Sequence, residues 1–138
     1  MTRLSPHFAL DEFRCGCGCD GHRDPQVVEH LTELAQVLER VRTACGDQPV
    51  AIHSGFRCHD WNRACGGAKR SQHLSGRAAD IRVKDVDPAD VWLTIIAEPD
   101  RYGVRGAGFY ADRFVHLDVR PGHRAVWGKN RPKSAESQ

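Results

Sequence analysis

Apolar side chains recur at spacings of three and four residues between Asp24 and Cys45, which predicts a long helix with one buried stripe. Asp24 is a suitable N-cap, Pro25 suits the first helical position, and Gly46 is placed to end the helix. The residues of the stripe are Val27, Val28, Leu31, Leu34, Ala35, Leu38 and Val41. A second helix is predicted to follow Asp87. Its apolar residues are Val91, Trp92, Ile95 and Ile96.

Short apolar segments with alternating side chains predict the strands of one sheet. These segments span residues 49–54, 78–83, 106–110 and 114–119. Residues 111–113 suit a hairpin turn between the last two, and residues 60–65 suit a single helical turn. The glycine-rich segment that ends near Arg23 predicts irregular structure. Together the elements predict an α+β domain, in which a small antiparallel sheet has helices packed on one side.

The length and charge of the chain limit the number of domains and the kinds of partner that we expect. With 138 residues and no segment of linker composition, the chain fits one domain over residues 1–128, followed by a polar tail at residues 129–138. A net charge of +2 does not indicate nucleic-acid binding, and no apolar stretch is long enough to cross a bilayer. We therefore expect a monomer with no nucleic-acid or membrane partner. The first residues lack the apolar run of a secretory signal peptide.

Six cysteines are many for a chain of this size, and three of them alternate with glycine in the segment Cys15-Gly16-Cys17-Gly18-Cys19. The others are Cys45, Cys58 and Cys65. The even number favours disulfides and an oxidising compartment. Alternatively, the alternating segment supplies thiolates to a structural metal together with His22, although its spacing differs from the usual C-x-x-C. Cys58 and Cys65 bracket one predicted helical turn, where a local disulfide fits.

Two histidines and an aspartate stand at positions suited to a metal ion. His73 lies in a loop seven residues before Asp80, which lies in one predicted strand, and His116 lies in another strand. Two imidazole nitrogens and one carboxylate oxygen suit Zn²⁺, and three protein ligands leave a fourth position open for water, as in catalytic sites. The alternative is that both histidines are ordinary surface or hydrogen-bonded residues, because this spacing also occurs by chance.

A longer pattern surrounds these residues. Between Ser71 and Asp80 the chain reads S-x-H-x-x-G-x-A-x-D. The other motifs are S-G-F-R at 54–57, N-x-x-x-G-G-A at 62–68, G-x-Y at 108–110 and F-V-H-x-D-V-R at 114–120. Together they resemble the motifs of peptidase family M15, which includes D-alanyl-D-alanine carboxypeptidases and peptidoglycan endopeptidases. The resemblance extends from Leu4 to Trp127 and is specific, because the motifs occur in the order found in the family.

The resemblance implies a zinc cofactor, held on the sheet by His73, Asp80 and His116. It also implies that Arg57 binds a substrate carboxylate or polarises the scissile carbonyl. The planar guanidinium suits both tasks better than an ammonium group does. The alternative for Arg57 is a surface salt bridge. Ser71 is expected to support His73 or to bind the substrate.

The sequence offers two candidates for the general base. Family relatives often carry an acidic residue three positions before the last histidine ligand, and Arg113 occupies that position here. Asp112 lies one position earlier, in a turn that can direct it toward the reacting water. Asp118 lies two residues after His116 on the same side of the strand, so it either acts as the base or anchors an imidazole or an arginine. We favour Asp112 as the catalytic base.

These residues predict a zinc metallopeptidase, either carboxypeptidase or endopeptidase, that hydrolyses amide bonds in peptidoglycan stem peptides or cross-bridges. A compact chain without a signal fits a phage or prophage endolysin that reaches the cell wall or periplasm after holin-type release. A bacterial wall-remodelling enzyme is the other origin. The alternative function is a non-catalytic zinc-binding module that recognises the cell wall or a partner protein. The hedgehog signalling domains suggest this alternative, since their similar zinc fold persists without peptidase activity.

Overall fold

The computed structural model describes residues 2–129, which form an α+β fold. The strands are β1 (Arg3–Ser5), β2 (Phe8–Ala9), β3 (Val50–Ser54), β4 (Ala78–Val83), β5 (Gly106–Tyr110), β6 (Phe114–Asp118) and β7 (Ala125–Lys129). The helices are α1 (Pro25–Ala44), α2 (His59–Ala64), α3 (Pro88–Ala97) and α4 (Pro99–Tyr102). Short 3-10 turns span Leu10–Phe13, Gly21–Arg23 and Gln72–Ser75.

The helix predicted from the spacing of three and four is α1. Asp24 caps it, because its carboxylate accepts hydrogen bonds from the backbone N–H groups of Gln26 and Val27 at 3.1 and 3.3 Å. The buried residues of the helix are Leu31, Leu34, Ala35, Val37, Leu38 and Val41. Packing of this stripe, more than helix propensity, stabilises α1 within the domain.

The main sheet has five strands in the order β3-β4-β6-β5-β7. The strands β3, β4, β6 and β5 pair antiparallel, as predicted. The edge strand β7 pairs parallel with β5 and was not predicted. Its sequence, A-V-W-G-K, has no alternation of polar and apolar residues, so only its pairing with β5 defines it as a strand. The α+β class is confirmed, with a mixed sheet in place of a wholly antiparallel one.

Alternation along the strands gives the sheet a core face and an opposite face, which we call the site face. The core face belongs to the same hydrophobic core as α1 and α3, and Trp92 of α3 lies 5.6 Å from Phe109 of β5 between ring centroids. The strand residues on the core face include Ala79, Ile81, Ala107, Phe109, Val115 and Leu117. Asp80 and His116 alternate with these residues and therefore lie on the site face.

The cysteines do not pair as the even count suggested. All six lie within the described residues, and all are free thiols. The local disulfide considered for Cys58 and Cys65 is wrong for this structure, because the Cys58 sulfur faces those of Cys15 and Cys17 instead, at 3.7 Å from each.

Several expectations about the whole chain remain untested. The polar tail predicted at residues 129–138 begins at the last residue of β7 and otherwise lies outside the described residues. Within residues 2–129, no helix combines the length and the apolar character that spanning a membrane requires. The expectations of a single domain, a monomer and no nucleic-acid partner stay predictions.

Candidate metal centre

Three side chains that are distant in sequence meet on the site face. Asp80 in β4 lies directly opposite His116 in β6, and the 3-10 turn Gln72–Ser75 brings His73 beside them. The atoms of these residues that can bind a metal all lie within 4.8 Å of one another. All three side chains are buried. A buried carboxylate between two imidazoles has the donor set that Zn²⁺ prefers.

Hydrogen bonds determine which nitrogen of each histidine is free. His73 Nδ1 lies 2.7 Å from the carbonyl oxygen of Gly55, which only accepts hydrogen bonds, so Nδ1 carries the proton. His73 Nε2 is therefore the free nitrogen, and it lies 3.3 Å from Asp80 Oδ1. His116 shows the reverse arrangement, with Nε2 2.8 Å from Asp118 Oδ2 and Nδ1 3.0 Å from Asp80 Oδ1. Both free nitrogens thus point at one carboxylate oxygen, as a shared cation requires.

Asp118 lies behind His116 and is completely buried. Arg120 binds its carboxylate through Nε and Nη2, at 2.9 and 2.7 Å, and also through its backbone N–H at 3.1 Å. Burial by itself would raise the pKa of Asp118, but the hydrogen bonds from Arg120 and His116 hold it well below its ordinary value. Asp118 therefore remains a carboxylate and accepts a hydrogen bond from the Nε2–H of His116. A carboxylate in this position is a usual partner of a metal-binding histidine.

Two glycines of β5 make room for this arrangement. Gly106 lies opposite Asp118, and a Cβ atom at Gly106 would overlap the Asp118 carboxylate. A Cβ atom at Gly108 would lie 2.5 Å from Nε1 of Trp127. The Trp127 ring can therefore cross the strand and cover His116, at 5.0 Å between ring centroids. The glycine of the G-x-Y motif is thus required by the close approach of an aromatic ring.

Arg57 contacts both a candidate metal ligand and residues of the neighbouring sequence motifs. Its Nη2 lies 3.2 Å from Asp80 Oδ2, its Nε donates to Ser54 at 3.0 Å, and its Nη1 donates to Asn62 at 3.2 Å. A Cβ atom at Gly67 would overlap the Asn62 amide, so this glycine keeps Asn62 in place beside Arg57. The side chain of Arg57 is only 13% exposed, so the surface salt bridge considered from the sequence does not describe it.

A bulge in β3 directs two neighbouring residues toward the site. Ile52 pairs with Ile81 and Ser54 pairs with Asp80, so His53 is the extra residue between them. Ser54 reaches Arg57, as described above, and the His53 ring stacks on Phe114 at 5.3 Å between centroids. His53 also lines the cavity in front of His73, Asp80 and His116.

That cavity has a volume of about 740 Å³ and a basic lining. Its arginines are Arg14, Arg57, Arg70, Arg113 and Arg120. Asp80 is the only carboxylate among the described residues that line it. One wall is aromatic, because Tyr110 stacks on Phe114 at 4.7 Å and accepts a hydrogen bond from Trp127 Nε1 at 3.0 Å. The cavity thus suits an anionic ligand with apolar parts.

Of the remaining residues considered for the site, some line the cavity and others do not. Ser71 lines the cavity, and its hydroxyl accepts a hydrogen bond from the His73 backbone N–H at 3.2 Å. Asp112 is exposed in the turn after β5 and lines a different depression, beside Arg82. Ala111, in a left-handed conformation with φ 51°, turns the chain there, so that Arg113 rather than Asp112 reaches the cavity. The sequence suggested that Asp118 could anchor an arginine but did not identify Arg120 as that residue, although its position two residues after Asp118 was a usable signal.

Comparison with known proteins agrees with this geometry. The family model described as Peptidase M15 matches residues 6–118, and the chain belongs to this family. A zinc D-Ala-D-Ala carboxypeptidase of Streptomyces albus G is 43% identical over 70 residues, which cover 49% of this chain and 28% of that protein. The peptidoglycan L,D-endopeptidase MepK of Escherichia coli K12 is 30% identical over 104 residues, 71% of this chain and 52% of MepK. The chain therefore spans about half or less of these relatives.

Proposed function

We propose that this chain is a zinc-dependent peptidase that hydrolyses amide bonds in the peptides of peptidoglycan. The observation that carries the proposal is the convergence of His73 Nε2 and His116 Nδ1 on Asp80 Oδ1, each ring having its other nitrogen occupied by an acceptor. The similarity to a zinc D-Ala-D-Ala carboxypeptidase and to a peptidoglycan L,D-endopeptidase supports both the zinc ion and peptidoglycan as the substrate.

His73, Asp80 and His116 would hold the zinc ion. When bound, zinc supplies a Lewis acid that polarises the scissile carbonyl and lowers the pKa of water. Asp118 acts as a positioning residue, because its carboxylate holds the Nε2–H of His116 and its own charge is compensated by Arg120. Ser71 positions His73 by capping the turn on which that histidine lies.

Arg57 would bind the substrate. A guanidinium has five N–H donors, and three of them are used by Ser54, Asn62 and Asp80. The remaining donors, on Nη1 and Nη2, have no partner among residues 2–129 and belong to a side chain that lines the cavity. They are available to a substrate carbonyl, whose developing negative charge they stabilise, or to a substrate carboxylate.

The proton acceptor is assigned to His53. Asp118 is fully buried with both oxygens hydrogen-bonded, and Asp112 lies outside the cavity, so neither faces a bound substrate. Apart from the three metal candidates, His53 is the one imidazole or carboxylate among the described residues that line the cavity. A neutral imidazole has one ring nitrogen that can accept a proton, so His53 can act as the general base for the attacking water.

The substrate class follows from the charge of the cavity. Its arginines suit the free carboxylates of peptidoglycan stem peptides, and the wall formed by Tyr110 and Phe114 suits their aliphatic parts. We propose action at the cell wall or in the periplasm, either as an endolysin after holin-type release or as a wall-remodelling enzyme. The relatives carry the names of a carboxypeptidase and of an endopeptidase, so the bond that is cut needs direct measurement.

The experiment is digestion of purified sacculi, followed by mass spectrometry of the released muropeptides. We expect soluble products whose masses identify one cleaved amide bond, loss of release with a chelator, and recovery with added zinc. The His116→Ala variant serves as the inactive control. If neither terminal residues nor cross-linked peptides are released by the zinc-loaded protein, the peptidase proposal is wrong.

A second function rests on a specific observation. The position at which relatives often carry an acidic residue is occupied by Arg113, which lines the cavity and lies over Phe114 at 5.5 Å from the ring centroid. A cavity with five arginines and one carboxylate is also suited to binding anionic wall peptides without cutting them. Sedimentation of the protein with sacculi, without release of products, would establish this non-catalytic zinc module instead.

A further inference from the structure

A second cluster of metal-binding side chains lies apart from the residues assigned above. Cys15, Cys17 and Cys19 come from the segment before α1, and Cys58 is the residue before α2. The sulfur of Cys15 lies 3.5 Å from that of Cys17 and 3.7 Å from that of Cys58. The sulfurs of Cys17 and Cys58 are 3.7 Å apart, and all four sulfurs lie within 4.8 Å of one another. Four thiols from two separate segments therefore share one small volume.

These distances match a tetrahedral thiolate site. With Zn–S bonds of about 2.3 Å, the sulfurs at the corners of a tetrahedron are about 3.8 Å apart. The three measured distances, 3.5, 3.7 and 3.7 Å, are close to that edge length. The same four residues would fill all four positions of the ion, so such a site would be structural and have no open position for substrate.

The glycines between the cysteines explain how the chain folds around this volume. Gly18 has φ 85°, a left-handed conformation, and its N–H donates to the Cys15 carbonyl at 3.0 Å, so the segment turns back on itself. A Cβ atom at Gly16 would lie 2.5 Å from the Trp61 ring, which packs against the backbone there. The glycines thus allow the chain to turn tightly, and the cysteines between them can place their thiols close together.

Backbone donors already point at two of the sulfurs. The N–H of Cys58 lies 3.4 Å from the Cys15 sulfur, and the N–H of Trp61 lies 3.4 Å from the Cys58 sulfur. Such donors stabilise thiolates, the form in which cysteine binds a metal. His22 is not part of the group, because among residues 2–129 the ligand atoms that share this volume are those of Cys15, Cys17, Cys19 and Cys58 alone; its Nε2 bonds to Asp11 at 3.0 Å. The ligand set considered from the sequence, with His22, is therefore corrected to one with Cys58.

We propose that Cys15, Cys17, Cys19 and Cys58 bind one structural zinc ion. Tetrahedral sites with four sulfur ligands select zinc or iron, and zinc needs no redox partner. This site shares no ligand with His73, Asp80 and His116, so its occupancy can be tested separately from the proposed peptidase activity.

The ion would hold the loop that carries Arg57. Arg57 directly precedes Cys58, and Arg14 directly precedes Cys15, so each end of the cluster adjoins an arginine of the cavity. The Phe56 N–H also donates to the Phe13 carbonyl at 2.9 Å, which joins the same two segments. The zinc ion would therefore act as a second and stronger link between the N-terminal segment and the wall of the cavity.

Metal analysis of three variants tests the proposal. The unaltered chain, purified without chelator, should carry about two zinc ions, and the Cys17→Ser/Cys19→Ser variant about one. A His73→Ala/His116→Ala variant should also keep about one, held by the cysteines. The Cys45→Ser variant, which changes a cysteine outside the cluster, should match the unaltered chain. Unchanged zinc content in the Cys17→Ser/Cys19→Ser variant would overturn the proposal, as would iron in place of zinc.

Cobalt gives a second measurement that does not depend on the folding of the cysteine variant. The His73→Ala/His116→Ala protein is loaded with Co²⁺, and its near-ultraviolet absorption is recorded. Four thiolate ligands should produce an intense sulfur-to-cobalt charge-transfer band, which disappears after alkylation of the thiols. Absence of this band, or disulfides among the four cysteines in the freshly purified protein, would refute the site, whether or not the chain cuts peptidoglycan.

Discussion

Asp80 Oδ1 lies 3.0 Å from His116 Nδ1, because the two residues are direct partners on neighbouring antiparallel strands. On the far side of the same ring, Asp118 accepts the Nε2–H at 2.8 Å, two residues along β6. One imidazole is thus held between two carboxylates with different tasks. The Asp80 carboxylate, which faces the cavity, is a candidate metal ligand, and the Asp118 carboxylate determines the orientation and tautomer of the ring.

This division of tasks predicts the behaviour of Asp118→Asn. Loss of the charged acceptor should weaken zinc binding by about 10–100-fold, and added zinc should restore part of the activity. Competition with a chromophoric chelator measures the affinity. Asp90→Asn, on the exposed side of α3, is the matched control and should leave zinc binding unchanged. Unaltered affinity in Asp118→Asn would show that the ring is held by other contacts.

Arg57→Lys should fold normally yet lose at least about 10²-fold in kcat/KM. An ammonium group cannot donate to Ser54, Asn62 and Asp80 and also present two parallel N–H groups to the substrate. Thermal unfolding and the rate of muropeptide release are measured together. The control is Arg63→Lys, which alters an arginine with an 80% exposed side chain on α2. A native rate in Arg57→Lys would remove Arg57 from the mechanism.

His53→Gln should keep its zinc and lower kcat by about 10²–10⁴-fold, because an amide cannot accept the proton of the attacking water. His59→Gln, an exposed histidine at the start of α2, provides the control.

The same assay compares His53 with the base favoured from the sequence. With His53 as the base, Asp112→Asn should reduce the rate little, because this carboxylate lies in an exposed turn outside the cavity. A large loss in Asp112→Asn together with a native rate in His53→Gln would transfer the role to Asp112.

Glu39 of α1 holds the first residues of the chain in place through hydrogen bonds, and its ionisation should make this contribution to stability depend on pH. Its carboxylate accepts from the Ser5 hydroxyl at 2.6 Å and from the His7 N–H at 2.7 Å. Burial by itself would raise the pKa of Glu39, but these hydrogen bonds and His7 lower it below the ordinary value of 4.5. Because the folded-state pKa is the lower one, the stabilisation is complete above pH 4.5 and is lost as the pH falls through the folded-state pKa.

Glu39→Gln should therefore lower the free energy of unfolding by about 1 kcal/mol at neutral pH and by less in strong acid. Urea unfolding at pH 7 and near pH 3 measures both values. Glu33→Gln, on an exposed position of the same helix, should show no such difference. If Glu39→Gln lowers the free energy of unfolding equally at both pH values, the charge of Glu39 does not stabilise the segment that contains Ser5 and His7.

The sequence determined the features that repeat locally. The stripe of α1 and the alternation in β4, β5 and β6 follow from periods of 3.6 and two residues, which are readable without knowing what the segments pack against. The motifs likewise pointed to His73, Asp80, His116 and Arg57. These residue types suit a zinc peptidase, and they occur in the order of the family's motifs. Those four residues do meet in the structure, because His73, His116 and Arg57 all lie within hydrogen-bonding distance of the Asp80 carboxylate.

Only the tertiary structure decided which residues from distant segments come together. β7 became a strand through its pairing with β5, and a left-handed Ala111 turned Asp112 away from the cavity. Cys58 meets three cysteines from a distant part of the chain; 43 residues separate it from Cys15 and 41 from Cys17. Sequence spacing cannot report such a meeting, because the distance between two remote side chains depends on how all the intervening elements pack.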